Sequence, residues 1–224
     1  MSFGTILLHM NGGDRDAANL GYAVGLAAEH RAHLIALRTI APFYPTIGAF
    51  GDAAVGVIAE LQERYRASER VAAAKTRAIA ERLCGSVDVK LEWREEEDFA
   101  DDIVPVHARY ADVAIIGQPE RGKIEPIHSP ELPANVIMGA GRPVIVVPYA
   151  GTFDKAPRHV LIAWSGTREA TRAVHDALPL LKRATDVSVL SINPKHGKHL
   201  PGADIAAHLA RRSEERRVGK ECRL

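Results

Sequence analysis

The sequence predicts a doubly wound, Rossmann-like α/β sheet followed by a partial second copy of its own beginning. Three observations carry this expectation. Continuous apolar runs, "ADVAIIG" (111–117) and "RPVIVVPY" (142–149), have the composition of parallel strands buried on both faces. Amphipathic helical stretches separate the strand-like runs, and alternation of this kind builds α/β sheets. The opening pattern also recurs after a short linker.

The elements follow in order. "TILLHM" (5–10) reads as the first strand and leads through "NGG" into a helix. In that helix Ala17, Leu20, Ala23, Val24 and Ala27 recur at three- and four-residue steps, an apolar stripe for one buried face. Asp14 is expected to cap it, and a glycine of the turn to take positive φ. "AHLIALRTI" (32–40) is the second strand. A Pro/Gly-containing loop then enters a long helix ending at "AERL". "SVDVKLEW" (86–93) alternates Val87, Val89, Leu91 and Trp93 and is expected to be the third strand. "DFADDIVPVHARY" is a short helix with Asp98 as its expected cap. The runs at 111–117 and 142–149 complete the first copy, with Pro143 and Pro148 bracketing the last strand.

From His159 the pattern starts again. "HVLIAWSGTREATRAVHDALPLLKRATDVSVLSI" lies on the opening segment with an offset of 154, changing by one near the second strand. Asn11-Gly12-Gly13 falls on Ser165-Gly166-Thr167, and Leu26 on Leu180. The expected organisation is a first module over 1–150, a linker over 151–157 and a truncated β-α-β half over 158–211. Half a module has too little core to stand alone. The remaining residues, 212–224, contain "RSEERRVGKEC", which resembles an in-frame translation of a sequencing-library adapter and is set outside the fold argument.

Composition excludes several functions. Net charge is +1 and aromatics make up 5%, so neither a nucleic-acid footprint nor a base-stacking platform is present. The apolar runs are too short to cross a bilayer, and no secretory signal precedes the first strand; the expectation is a cytoplasmic protein. Cys84 and Cys222 have no metal or disulfide spacing, and Cys84 reads as a small buried hydrophobe. "HGKH" (196–199) has no carboxylate or cysteine partner nearby and reads as a solvated loop. The acidic run "EWREEEDFADD" reads as a hydrated strand end and helix start, and His107 and His128 as structural or solvated. "NGGDRD" lacks the serines of an adenylating pyrophosphate loop. No catalytic set and no metal set emerges, so the expectation is not an enzyme.

Taken together, "ILLHMNGG" with its Ala-rich helix, "YADVAIIGQPERG", "GRPVIVVP" and "VLIAWSGTREATRAVHDALPLL" resemble the universal stress protein family, in its tandem form, over residues 3–211. The resemblance implies a five-stranded parallel sheet of order 3-2-1-4-5, with dimerisation or module pairing through the last strand. It also implies an ATP crevice outside the carboxyl ends of strands 1 and 4. ATP-binding members carry Gly-x2-Gly-x9-Gly-(Ser/Thr) after the fourth strand; that spacing here gives Gly117, Glu120, Pro130 and Glu131. Pro130 has no N–H to give a phosphate. Glu131 sets a carboxylate where a phosphate would lie, costing roughly 4 kcal/mol at an effective dielectric of 20 and 4 Å. The family's acid at the end of strand 1 is Asn11 here, and Ser165 in the second copy. The cofactor-binding positions implied are thus Asn11, Gly12, Gly13 and Gly117, with Arg121, Gly122 and Lys123 as an alternative cradle. The expected function is a non-enzymatic stress-response binding or signalling module with a degenerate nucleotide site. An ATP-binding member with an altered loop is the alternative, and an adenylating enzyme the third.

Overall fold

The computed structural model describes residues 2–44, 54–120, 130–191, 202–211 and 218–219. The chain divides into two compact units, Phe3–Asp154 and, beyond it, Lys155–Leu224 with Met1–Ser2.

In the larger unit, β1 (Thr5–Met10), β2 (His33–Ile40), β3 (Leu91–Glu97), β4 (Val113–Gly117) and β5 (Val144–Val147) form one parallel sheet of order β3-β2-β1-β4-β5. Helices α1 (Asp16–His30), α2 (Ala54–Ser86), α3 (Ala100–Ala108) and α4 (Leu132–Ala140) connect them. Strand residues alternate between the two faces. Leu7, Ile35, Leu37, Ala114 and Ile116 pack with Val104, Ala108, Leu132 and Val136 of α3 and α4. The alternate set, Ile6, Leu8, Met10, Leu34, Ala36 and Ile115, is equally buried on the α1/α2 face. That two-sided burial is why β1 and β4 read as unbroken apolar runs.

Three expectations need correcting. The third strand starts at Leu91, not at 86: α2 runs to Ser86, and Asp88 takes a left-handed φ of 55° in the turn that follows. β3 is an edge strand rich in charge, so its own apolar signature is faint, while Val87 and Val89 of the turn imitate alternation. Asp14 does not cap α1, whose N-cap residue is Arg15. Asp98 does not cap α3; Phe99 holds that position, and the Asp98 carboxylate accepts from the Phe99 amide at 2.7 Å.

The segment after β5 lies along α1. Arg15 Nη2 donates to the carbonyls of Pro148 (3.1 Å) and Gly151 (2.9 Å). Further along, the Asp154 carbonyl abuts Gly25 so closely that any Cβ there would collide with it.

In the second unit, β6 (His159–Ala163) pairs in parallel with β7 (Asp186–Leu190); α5 (Arg168–Asp176) and α6 (Leu178–Leu181) connect them. Helix α7 (Gly202–Ala210) contributes Ile205 and Leu209 to a core with Ile162, Val174, Leu178, Leu181, Val187 and Val189. Within the segment read as foreign, Val218 and Gly219 form a two-residue strand, β8, beside Val187 and Ser188. That pairing uses main-chain groups on the open edge of β7, which impose no side-chain requirement.

Candidate functional site

The direction of the chain reverses between β1 and β4: β1 leads to β2 on one side, β4 to β5 on the other. A crevice outside the carboxyl ends of neighbouring strands opens at such a point. Asn11, Gly12, Gly13 and Gly117 all arrive there. Arg121, Gly122, Lys123 and His128 lie outside the described residues, as does "HGKH".

The turn after β1 is closed on itself. Gly12 has φ 84°, the conformation that requires glycine here. The Asp16 carboxylate accepts from the amides of Gly12 (2.8 Å) and Asn11 (3.3 Å), and the Asn11 side chain accepts from Gly13 (2.9 Å). Three successive main-chain N–H groups that could have faced an anion are therefore taken by the chain's own oxygens. Asp16 is 6% exposed, so this carboxylate belongs to the interior.

Two buried polar side chains border the same crevice, and neither was singled out in the sequence. Asn19, 4% exposed, places its amide nitrogen 2.7 Å from where a Cβ on Gly117 would stand. Only glycine fits at 117 because that amide packs onto it. Arg38, 1% exposed and paired in register with Met10, donates to Glu69 of α2 at 2.7 Å, and its Nη2 lies 3.2 Å from a Cβ built on Gly12. Arg38 Nε and Nη1 and Asn19 Oδ1 are buried without a hydrogen-bond partner among the described residues. A signal for both existed: Asn19 and Asp16 fall on the helical stripe, and Arg38 is the lone charge in an apolar strand.

The far side of the crevice is the start of α4. Glu131 is its N-cap residue, the place the family spacing gives to the last Gly-Ser pair, and its side chain forms no cap hydrogen bond. Pro130 precedes it and Pro133 stands in the first turn, so the helix start lacks two amides that glycine or serine would supply. Glu131 is exposed, so solvent screening reduces its repulsion of a phosphate to about 1 kcal/mol at 4 Å.

The acidic run is internally paired. Glu92 meets Arg94 at 2.7 Å and His33 at 3.0 Å. Arg94 Nη1 donates to His107 Nδ1 at 3.2 Å, and His107 Nε2 faces Glu96 at 3.7 Å. Hydrogen bonds from Arg94 and His33 hold the Glu92 carboxyl below its usual range; burial, then the Arg94 charge, push His107 down. Cys84 is buried, and burial pushes its thiol up, as suits an inert core residue. Among the described residues no three His, Cys, Asp or Glu side chains converge on a metal position, and no helix is long and apolar enough to cross a membrane.

No family model matches the chain, and no curated protein does. Solved structures do. A universal stress protein UspA from Lactobacillus plantarum matches at 19% identity over 66% of this chain and 99% of its own, with a TM-score of 0.51. A universal stress protein from Archaeoglobus fulgidus DSM 4304 matches at 16% identity over 97% of this chain and 76% of its own, with a TM-score of 0.60. Similarity of this kind reports the path of the backbone. With its strand order, its crossovers and these two likenesses, the chain has the fold of the universal stress proteins.

Proposed function

We propose that the chain is a universal stress protein, a non-enzymatic stress-response binding or signalling module whose first nucleotide crevice is degenerate. The observation that carries this reading is the Asp16 carboxylate bonded to the amides of Asn11 and Gly12. An incoming phosphate would have to displace a buried anion already satisfied by the same donors. Glu131 and Pro133 at the start of α4 work in the same direction. The competing reading, an ATP-binding member with an altered loop, rests on the sequence cluster Arg121, Gly122 and Lys123. As parts of the same proposal, the protein is cytoplasmic, and it pairs with a second copy or a second module through the β5 edge. Exposed Ile137 and Met138 on neighbouring α4 favour such a contact.

Calorimetry on the full chain with ATP and Mg²⁺ tests the central point. No saturable heat is expected up to about 1 mM nucleotide. Micromolar binding that weakens on substituting Arg121 and Lys123 would establish the competing reading instead.

A further inference from the structure

We propose that Asn11 is a self-modifying residue: the turn that holds it drives its deamidation to aspartate and isoaspartate. Water is the sole co-reactant. The Gly12 nitrogen attacks the side-chain carbonyl carbon, Cγ, of Asn11 and gives up its proton. The new N–Cγ bond closes a succinimide ring, the Cγ–Nδ2 bond breaks, and the side-chain nitrogen leaves with that proton as ammonia. Water then opens the ring. Addition at Cγ gives aspartate; addition at the main-chain carbonyl carbon gives isoaspartate, with the chain routed through Cβ.

The turn supplies what each step needs. Cγ and the Gly12 nitrogen are separated only by Cβ, Cα and the carbonyl carbon of Asn11, and glycine has no side chain to block the approach. A base is in place, because the Asp16 carboxylate accepts from that same Gly12 N–H at 2.8 Å, within reach of direct proton transfer. Asp16 is 6% exposed and is held there by the fold. The oxygen that gains charge is already met by a donor: Asn11 Oδ1 accepts from the Gly13 N–H at 2.9 Å, and such a donor stabilises the tetrahedral intermediate. Asn11 is half-buried and Gly12 exposed, so water can enter and ammonia leave.

The other asparagines lack this set. Asn19 and Asn135 lie inside α1 and α4 and precede the bulkier Leu20 and Val136, and Asn193 precedes Pro194, which has no N–H. Conversion changes the turn. Aspartate adds a second carboxylate beside Asp16, whose Oδ1 stands 3.3 Å from the Asn11 nitrogen, and the like charges repel. Isoaspartate instead lengthens the main chain between β1 and α1 by one atom. Either product loosens the turn irreversibly, whether or not a nucleotide binds.

The test is peptide mapping by mass spectrometry of the full chain aged in neutral buffer, with electron-based fragmentation to tell aspartate from isoaspartate. Asn11 is expected to convert ahead of Asn19, Asn135 and Asn193, with both products present. Conversion should be roughly tenfold or more faster in the folded chain than in the same chain unfolded in urea, a comparison that needs no substitution. In Asp16→Asn the new amide oxygen can still accept from Gly12, but the base is lost, and conversion should slow by a similar factor. Slower conversion in the folded chain than in urea, an unchanged rate in Asp16→Asn, or aspartate as the sole product would each overturn the proposal.

Discussion

The two β-α-β segments of this chain, β1-α1-β2 and β6-α5-α6-β7, share a register and differ in almost everything that register leaves open. Thr5 pairs with His33 and His159 with Asp186. These are equivalent positions under the sequence offset. The turn glycine follows suit, with φ 84° at Gly12 and 72° at Gly166. Burial does not. Leu7 is fully buried whereas its counterpart Leu161 is 63% exposed, and buried Ile35 gives way to exposed Ser188. β1 is paired on both edges and covered on both faces; β6 is paired on one edge, with β7. An apolar strand pattern thus specifies a path, but its burial depends on the other half of the sheet.

The turns diverge as well. Position 16 of the first copy holds the carboxylate that fills the turn, whereas its counterpart is Ala170, whose amide donates to Thr167 at 3.2 Å. The second turn is capped at the helix start by a hydroxyl, and the first is filled from within by an anion. α1 runs unbroken for 15 residues, but its counterpart splits into α5 and α6 around Ala177, two residues before Pro179. That proline stands at the position of Gly25 and withholds an amide from the helical ladder.

The largest effect expected from this difference is in amide exchange. β1, β2 and β4 should be protected about a hundredfold more than β6 and β7, reflecting roughly 3 kcal/mol of opening free energy. Hydrogen-exchange mass spectrometry of the full chain measures this, and equal protection would break the comparison. Next in size is the turn glycine. Gly12→Ala and Gly166→Ala both force a left-handed side chain, about 1–2 kcal/mol each. At Gly12 the new methyl also presses on the Arg38 guanidinium, 3.2 Å away. Urea melts should therefore rank Gly12→Ala as the costlier change, and the reverse order would remove Arg38 from the account of the turn.

The smallest expected effect is a pH dependence confined to the first unit. Burial and the Arg94 charge hold the folded-state value of His107 below its ordinary 6.5. Its contribution is therefore present above the ordinary value and lost as pH falls through the folded one. Urea midpoints should drop between about pH 7.5 and 5.5, and less so in His107→Gln. Glu92, also held low, loses its contribution at more acid pH. An identical drop in the variant would show that other groups dominate.

Much of the fold was legible because buried parallel strands advertise themselves: β1 is found at the expected residues and β2 and β4 within two of them. β3 was begun too early because its apolar signature is only Leu91 and Trp93 among glutamates, and Val87 and Val89 of the turn before it extend the same alternation. The crevice was half legible. Asn11, Gly12, Gly13 and Gly117 lie at the carboxyl ends of β1 and β4, and Glu131 stands at the expected helix start. The buried polar groups beside the crevice were missed: Asp16, Asn19 and Arg38 meet three-dimensional neighbours, Gly12, Gly117 and Glu69, that no local spacing connects. A polar residue on a helical stripe, or one charge inside an apolar strand, is the sign to follow in such cases.

The mooring of the segment after β5 on α1 has a mechanical consequence. The chain leaves the first unit at Asp154, whose carbonyl rests on Gly25, and further back Arg15 grips Pro148 and Gly151. Tension applied at Lys155 therefore arrives first at the helix that follows β1, and reaches its start, one residue from Asp16, before it can peel β5 from the sheet. Whatever pulls on the second unit also tugs at the turn that Asp16 keeps shut.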